Sequence, residues 1–434
     1  MHWLRDRLGR TSTVAALAAV LSMAAARSAC AEALLLIEAD TGKVLHAENA
    51  TYPWYPASVT KLMTAYVTLS AVKRGRITLD TLATVSDNAV AQQPTKMGFR
   101  AGTQVTVDNA IKMMMVKSAN DMAVVLAETV GGSIENFANE MNRAAQRLGM
   151  TQSSFVNPNG LPNENQITSA RDLAILARAL IQEFPEYDLY WHTPAIRLGK
   201  RVMHNYNTLI DRYPGADGMK TGFICSAGFN LVATATRGNK RLIAVVLGAP
   251  SSSVRALQAA QLLEKGFSTN PLSWLFPSLG TIDQLAPIAA SPPDLHEEMC
   301  GKHRRRPAAE SEEEAAAPSD DPETASAFAA MHQSLRAQKV VLGPLNPSMP
   351  PIEVYVGANK PRPRPVVAHS GSGENAGAVA APKKPAAQKP AAKPAATAAT
   401  KPEAAKPAAP KSAAPKKPST AAAPSAKPQP KPGS

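Results

Sequence analysis

Proline divides this chain in two. Of its 37 prolines, 9 precede residue 269 and 28 lie in the last 166 residues. Proline lacks a backbone N–H and holds φ near one value, so a stretch this rich in it cannot build long helices or sheet ladders. A large packed core is therefore confined to the first 268 residues.

Charge follows the same division. The net charge is +13, yet residues 32–268 hold 23 basic and 19 acidic residues. Residues 381–434, a low-complexity Ala/Pro/Lys segment, carry 11 lysines against Glu403 alone. Such a tail buries too little apolar surface to offset its ordering entropy, and is expected to be extended and disordered. Residues 269–380, with 9 basic and 13 acidic residues, read as a mixed-charge, Pro-rich and mostly unstructured linker. Within it "ASAFAAMHQSLRAQKVV" suggests one short helix and "PIEVYVG" one short strand.

The start of the chain points to export. A basic "MHWLRDRLGR" precedes the uncharged run Thr11–Ala26, and "ACA" then offers small residues at cleavage spacing. This is the layout of a signal peptide, residues 1–31, cut near Ala31. The run is roughly four residues short of the ~20 that a spanning helix needs, and Arg27 stands where a lipobox before Cys30 would want an apolar residue. The expected location is the periplasm or cell envelope of a bacterium. No nucleic acid is met there. The basic tail would instead face anionic wall polymers or a membrane surface, or act as a solvated spacer. After cleavage only Cys225 and Cys300 remain. An oxidising compartment permits a bridge between them, but they lie in segments of different character and are expected to stay unbridged.

Residues 32–268 read as one α/β unit. "ALLLIEAD", a "TGK" turn and "VLHAEN" form a hairpin near its start. "NLVATATR", a "GNK" turn and "RLIAVVLG" form another near its end. "SARDLAILARALI" opens with Ser169 and Asp172 in capping-box positions and sets Leu173, Leu176 and Leu180 on one face. Strands at both ends of a helical middle suggest one antiparallel sheet of about five strands, covered by helices.

One lysine in this unit is out of place. "PASVTKLMTAYVTLSAV" is a helix with no charge from Leu62 to Val72, yet Lys61 sits in its first turn with Ser58 on the same face. A buried ammonium is costly unless it is paired or has lost its proton. Alone, Ser-x-x-Lys is weak, and Ser58 could be a plain cap; Ser70/Lys73 repeats the pattern at a solvated helix end. Ser-x-Asn is equally weak, with Ser86/Asn88 and Ser268/Asn270 as ordinary matches. Ser118/Asn120 differs by lying at a break between two apolar helices, where a buried loop could aim both side chains into a cleft. Lys220-Thr221-Gly222 occurs once, on an expected edge strand, where the glycine would let a ligand backbone lie close.

Together, in this order, these three triplets resemble the signature set of penicillin-binding proteins and serine β-lactamases. "PASVTKLMTAY", "SANDMAVVLAE", "FVNPNGLP", "TSARDLAILARALI" and "GMKTGFICSAGFNLVATA" extend the likeness to the low-molecular-mass D-Ala-D-Ala carboxypeptidases, over about residues 33–268. The resemblance implies a transpeptidase-like fold and a penicillin-sensitive serine carboxypeptidase acting on peptidoglycan stem peptides, with no metal or cofactor. Ser58 would be the acylated nucleophile, Lys61 its base and Ser118 the proton relay. Asn120, Lys220, Thr221, Gly222 and Arg255 would bind the peptide and its carboxylate. The N–H groups of Ser58 and Phe223 would form the oxyanion hole. A lysine base must be neutral near pH 7, which disfavours its charged form by ~4.6 kcal/mol against an ordinary lysine. Desolvation on an apolar helix and the nearby cation of Lys220 would both act that way.

The sequence departs from the family in two places. Phe223 replaces the polar residue common after Lys-Thr-Gly, and neither a β-rich second domain nor an amphipathic C-terminal anchor is evident. Cys225 has no neighbouring histidine and makes a poor nucleophile. Rival readings are a D-Ala endopeptidase, a serine β-lactamase and a non-enzymatic wall-binding protein. The chain lacks the Glu-x-x-Leu-Asn string of class A β-lactamases.

Overall fold

The structure, a computed structural model, describes residues 32–268, 279–302 and 342–358. The signal segment 1–31, the helix read in "ASAFAAMHQSLRAQKVV" and the tail 381–434 lie outside the described residues.

Both hairpins form where turn residues separate runs of apolar and β-branched residues. Strands β1 (Ala33–Glu38) and β2 (Val44–Glu48) pair antiparallel across Gly42, which adopts φ +69. Near the other end β8 (Gly228–Arg237) and β9 (Lys240–Ala249) pair across Gly238, at φ +58. Strand β1 also pairs with β9, with Leu35 opposite Val245. The two distant segments are thus one sheet, of order β2-β1-β9-β8-β7, antiparallel throughout. Its free edge is β7 (Ala216–Ile224), which carries Lys220-Thr221-Gly222. This is the five-strand antiparallel sheet that the sequence predicts. Nearly all of β8 and β9 is buried, as in a sheet covered on both faces.

The helical middle supplies the cover. Helix α1 (Lys61–Lys73) is buried from Lys61 through Ala71 all round its circumference, so it runs through the interior rather than lying on a surface. Helices α2 (Val107–Val116) and α3 (Asn120–Gly131) pack around it, joined by the tight break at Lys117–Ala119. Helix α4 (Ile134–Leu148) lies against α1 and α3. Helix α5 (Ala170–Glu183) begins at Ser169, whose side chain accepts from Asp172 N, and buries Leu173, Leu176 and Leu180. Asp172 does not reach back to complete a capping box. Its carboxylate accepts instead from Gln152 N, Ser153 Oγ and Arg171 Nη1. Helix α6 (Ser252–Phe267) follows β9 and packs on β8 and β9.

Smaller elements complete the description. Strands β3 (Leu82–Thr84) and β4 (Gln104–Thr106) form a short ribbon. Strands β5 (Ala195–Leu198) and β6 (Arg201–His204) form a hairpin, and β10 (Ile352–Val354) joins β5 in parallel. That last strand is the one read in "PIEVYVG".

The segment after residue 268 holds more structure than its composition suggests. Residues 279–302 return to the sheet, with Val44 N donating to Gly280 O, Ile282 N to Gly42 O and Leu295 N to Ser226 O. Ile282, Leu295 and Met299 are buried there, and the short helix α7 (His296–Cys300) ends in a disulfide between Cys300 and Cys225. The expectation that these cysteines stay unbridged is therefore corrected. Three isolated apolar residues among prolines and charges, Ile282, Leu295 and Met299, are enough to seat this segment and leave no periodic trace in the sequence.

Candidate active site

Ser58 is held by a distorted turn rather than by regular helix. Pro56 precedes a 3-10 turn, Ala57–Thr60, in which Ala57 takes φ +49, and α1 continues from Lys61. Three segments brace this turn. Asn230 of β8 donates Nδ2 to the carbonyls of Tyr55 and Pro56, and Trp54 Nε1 donates to Ala227 O. Gly222 of β7 passes so close that a Cβ there would lie 2.7 Å from Ser58 N and 2.9 Å from Val59 N. On the remaining side stands the loop Asn157–Leu161. Gly160, at φ +82, would drive a Cβ into Ala57 O, and Thr64 Oγ1 donates to Pro158 O. The glycine of Lys-Thr-Gly, expected to admit a ligand backbone, admits the serine turn itself through its missing side chain.

Lys61 is fully buried, at 0% exposure. Its Nζ lies 2.8 Å from Ser58 Oγ, 2.7 Å from Asn120 Oδ1 and 2.8 Å from Asn159 O. All three of those oxygens are uncharged. Asn120 opens α3 and has its amide fixed at both ends, since Nδ2 donates to Gln93 O at 2.8 Å. Two residues earlier Ser118 takes φ +58, a strained conformation for a residue with a side chain. Its Oγ is buried without a hydrogen-bond partner, and so is Thr221 Oγ1. Unsatisfied buried hydroxyls are rare in packed interiors and common where a substrate will supply the partner.

Lys220 is buried on β7, with Nζ donating to Thr221 O at 3.0 Å. Arg255, in the first turn of α6, is also buried and reaches Asn230 O and Tyr206 O at 3.3 and 3.4 Å. The ring of Phe223 packs with its centroid 4.3 Å from that of Phe229. Ser58, Lys61 and Asn120 are thus directly linked, while Gly222 places the β7 triplet against the same turn.

Sequence reasoning missed the role of Asn159. The string "FVNPNGLP" contributes to the family likeness, but nothing in it signals that a backbone carbonyl would face Lys61. The loop is held in shape by its own asparagines: Gly160 N donates to Asn157 Oδ1 and Asn159 Nδ2 to Gln92 Oε1.

The profile of the D-alanyl-D-alanine carboxypeptidase family, Peptidase_S11, matches residues 20–251. This chain belongs to that family. The family member DacA of Haemophilus influenzae is 37% identical over 243 residues, covering 55% of this chain and 62% of its own length. The chain thus spans less than two thirds of this curated relative. Among solved structures, penicillin binding protein 5 of Haemophilus influenzae superposes with TM-score 0.53 at 37% identity, covering 54% of this chain and 70% of its own. Penicillin-Binding Protein D2 of Listeria monocytogenes in its cefotaxime-bound form gives TM-score 0.50 at 30% identity, covering 54% of this chain and 96% of its own.

Proposed function

We propose that this S11-family chain removes the terminal D-alanine from peptidoglycan stem peptides through an acyl-enzyme on Ser58, and that β-lactams acylate the same oxygen. The observation that carries the reading is the 2.8 Å approach of a fully buried Lys61 Nζ to Ser58 Oγ. Burial disfavours the ammonium, and a neutral amine at that distance accepts the hydroxyl proton. Asn120 Oδ1 and Asn159 O hold the amine in place.

Ser58 Oγ attacks the carbonyl carbon of the penultimate D-alanine while its proton passes to Lys61. The oxyanion is met by the N–H groups of Ser58 and Phe223. The C–N bond then breaks, and the leaving D-alanine nitrogen takes the proton from Lys61 through Ser118. Water attacks the resulting ester, gives its proton to Lys61, and Ser58 recovers it as the shortened peptide departs. Lys220, Thr221 and Arg255 bind the terminal carboxylate, and Asn120 and Gly222 keep the peptide and the serine turn in register. The Cys225–Cys300 disulfide fits an exported protein in an oxidising compartment. No helix among the described residues is long and apolar enough to cross a membrane.

Purified protein and Ser58→Ala, each treated with fluorescent penicillin and with a pentapeptide, test the reading. Labelling and D-alanine release that both vanish in Ser58→Ala are expected. Rapid drug turnover without D-alanine release would replace the reading with a β-lactamase, cleavage of cross-linked dimers with an endopeptidase, and no labelling with a non-enzymatic wall protein.

A further inference from the structure

The far end of α1 carries a second feature that the acyl-transfer chemistry does not use. Two adjoining cavities of about 250 and 360 Å³ lie over its last turn, against α4 and the end of α5, and share Ser70, Arg74 and Arg147. Helix α1 is 13 residues long and starts at Lys61, so its far end lies roughly 18 Å along the axis from that lysine. Five cations line it: Lys73, Arg74, Arg76, Arg143 and Arg147. Only two carboxylates accompany them. Glu140 is already gripped by both terminal nitrogens of Arg76, at 2.8 and 3.0 Å. Glu183 accepts from Tyr66 OH at 3.0 Å.

Two of the cations serve neighbouring helix ends, Lys73 Nζ donating to Glu183 O of α5 and Arg76 Nη2 to Val130 O of α3, which leaves Arg74, Arg143 and Arg147. The last carbonyls of α1 are closed by backbone donors, with Arg74 N on Ser70 O, Gly75 N on Val72 O and Arg76 N on Ala71 O. The end of α4 is closed likewise, by Gly149 N on Gln146 O and Met150 N on Ala145 O. Arg143 and Arg147 are like charges one turn apart on one helix face, an arrangement that destabilises a helix on its own. Arg74, from another helix, adds a third guanidinium to the same cavity. Convergent guanidinium forks suit a multivalent oxyanion with several acceptor oxygens, and phosphate is the common one.

We propose that this groove binds a phosphate group, free or carried on an ester, at a site separate from the acylation centre. Arg74, Arg143 and Arg147 are its ligands, and Arg76 is held back by Glu140. The source is either a soluble phosphate or the head group of an anionic lipid.

Calorimetric titration of the full chain with inorganic phosphate at fixed ionic strength tests this, beside the double variant Arg143→Gln/Arg147→Gln. The expected result is one phosphate per chain, bound at least tenfold more weakly by the double variant, with melting temperature and fluorescent-penicillin labelling unchanged. Undetectable binding by the parent at millimolar phosphate, or equal binding by both proteins, overturns the proposal. Competition by phosphatidylglycerol vesicles but not phosphatidylcholine vesicles, lost in the double variant, assigns the site to a lipid head group. Phosphate binding without such competition assigns it to a soluble phosphate. Ser58→Ala must bind phosphate as the parent does, which separates this site from the acylation reading.

Discussion

At the scale of single residues, the site depends on atoms that are absent as much as on those present. Gly222 has no Cβ, and the Ser58 and Val59 amides occupy the space where one would stand. Gly222→Ala must push β7 and the serine turn apart, and misplacing a nucleophile by about 1 Å costs on the order of 10²-fold in rate. The rate of fluorescent-penicillin acylation should fall by about that factor. A variant that acylates at the parent rate would show that the close approach does not matter. Which residues the proposed site draws on was largely legible in the sequence, because Ser58, Lys61, Ser118, Asn120 and Lys220 sit in short strings with fixed spacing. The carbonyl of Asn159 was not legible, since any residue type has a carbonyl and only the path of the loop aims it.

Among elements, the hairpins and the apolar helices could be read from periodicity and turn residues, because each is a local pattern. The return of residues 279–302 could not. It rests on three buried apolar side chains and one disulfide, Cys225–Cys300, across 75 residues of sequence. Closing a loop of that length is worth on the order of 4 kcal/mol in the chain-entropy account. Urea denaturation with and without reductant should show the reduced parent less stable by up to that amount, while the Cys300→Ser variant should not respond to reductant. Equal midpoints in both states would mean that the bridge adds nothing. A second element-level test concerns the short helix Leu189–His192, where His192 Nδ1 lies 3.0 Å from Asp188 Oδ2. The Asp188 hydrogen bond raises the His192 pKa above its ordinary 6.5. The charged form is therefore the one favoured by folding, so this stabilisation is full below about pH 6.5 and fades as pH rises through the raised value. The stability gap between parent and His192→Gln should be wider at pH 5.5 than at pH 8.5. A gap that widens with pH instead would reverse the assignment.

On the scale of the whole molecule, the proposed site draws on residues 58–255, whereas most of the excess positive charge belongs to residues 381–434. Deleting the chain after residue 380 should leave turnover of a soluble peptide unchanged, whereas a large drop would give the tail a part in catalysis. The fold itself seals one lysine: α1 is buried from Lys61 through Ala71, β7 closes over its start, and the Asn157–Leu161 loop closes its flank. The most direct test of that arrangement is a carbon NMR titration of the Lys61 side chain, with acylation rates measured on the same preparation across the same pH range. An amine already uncharged at neutral pH is expected, with acylation falling as acid protonates it. A Lys61 ammonium that keeps its proton beyond pH 9 while acylation runs at full rate near pH 7 would contradict it.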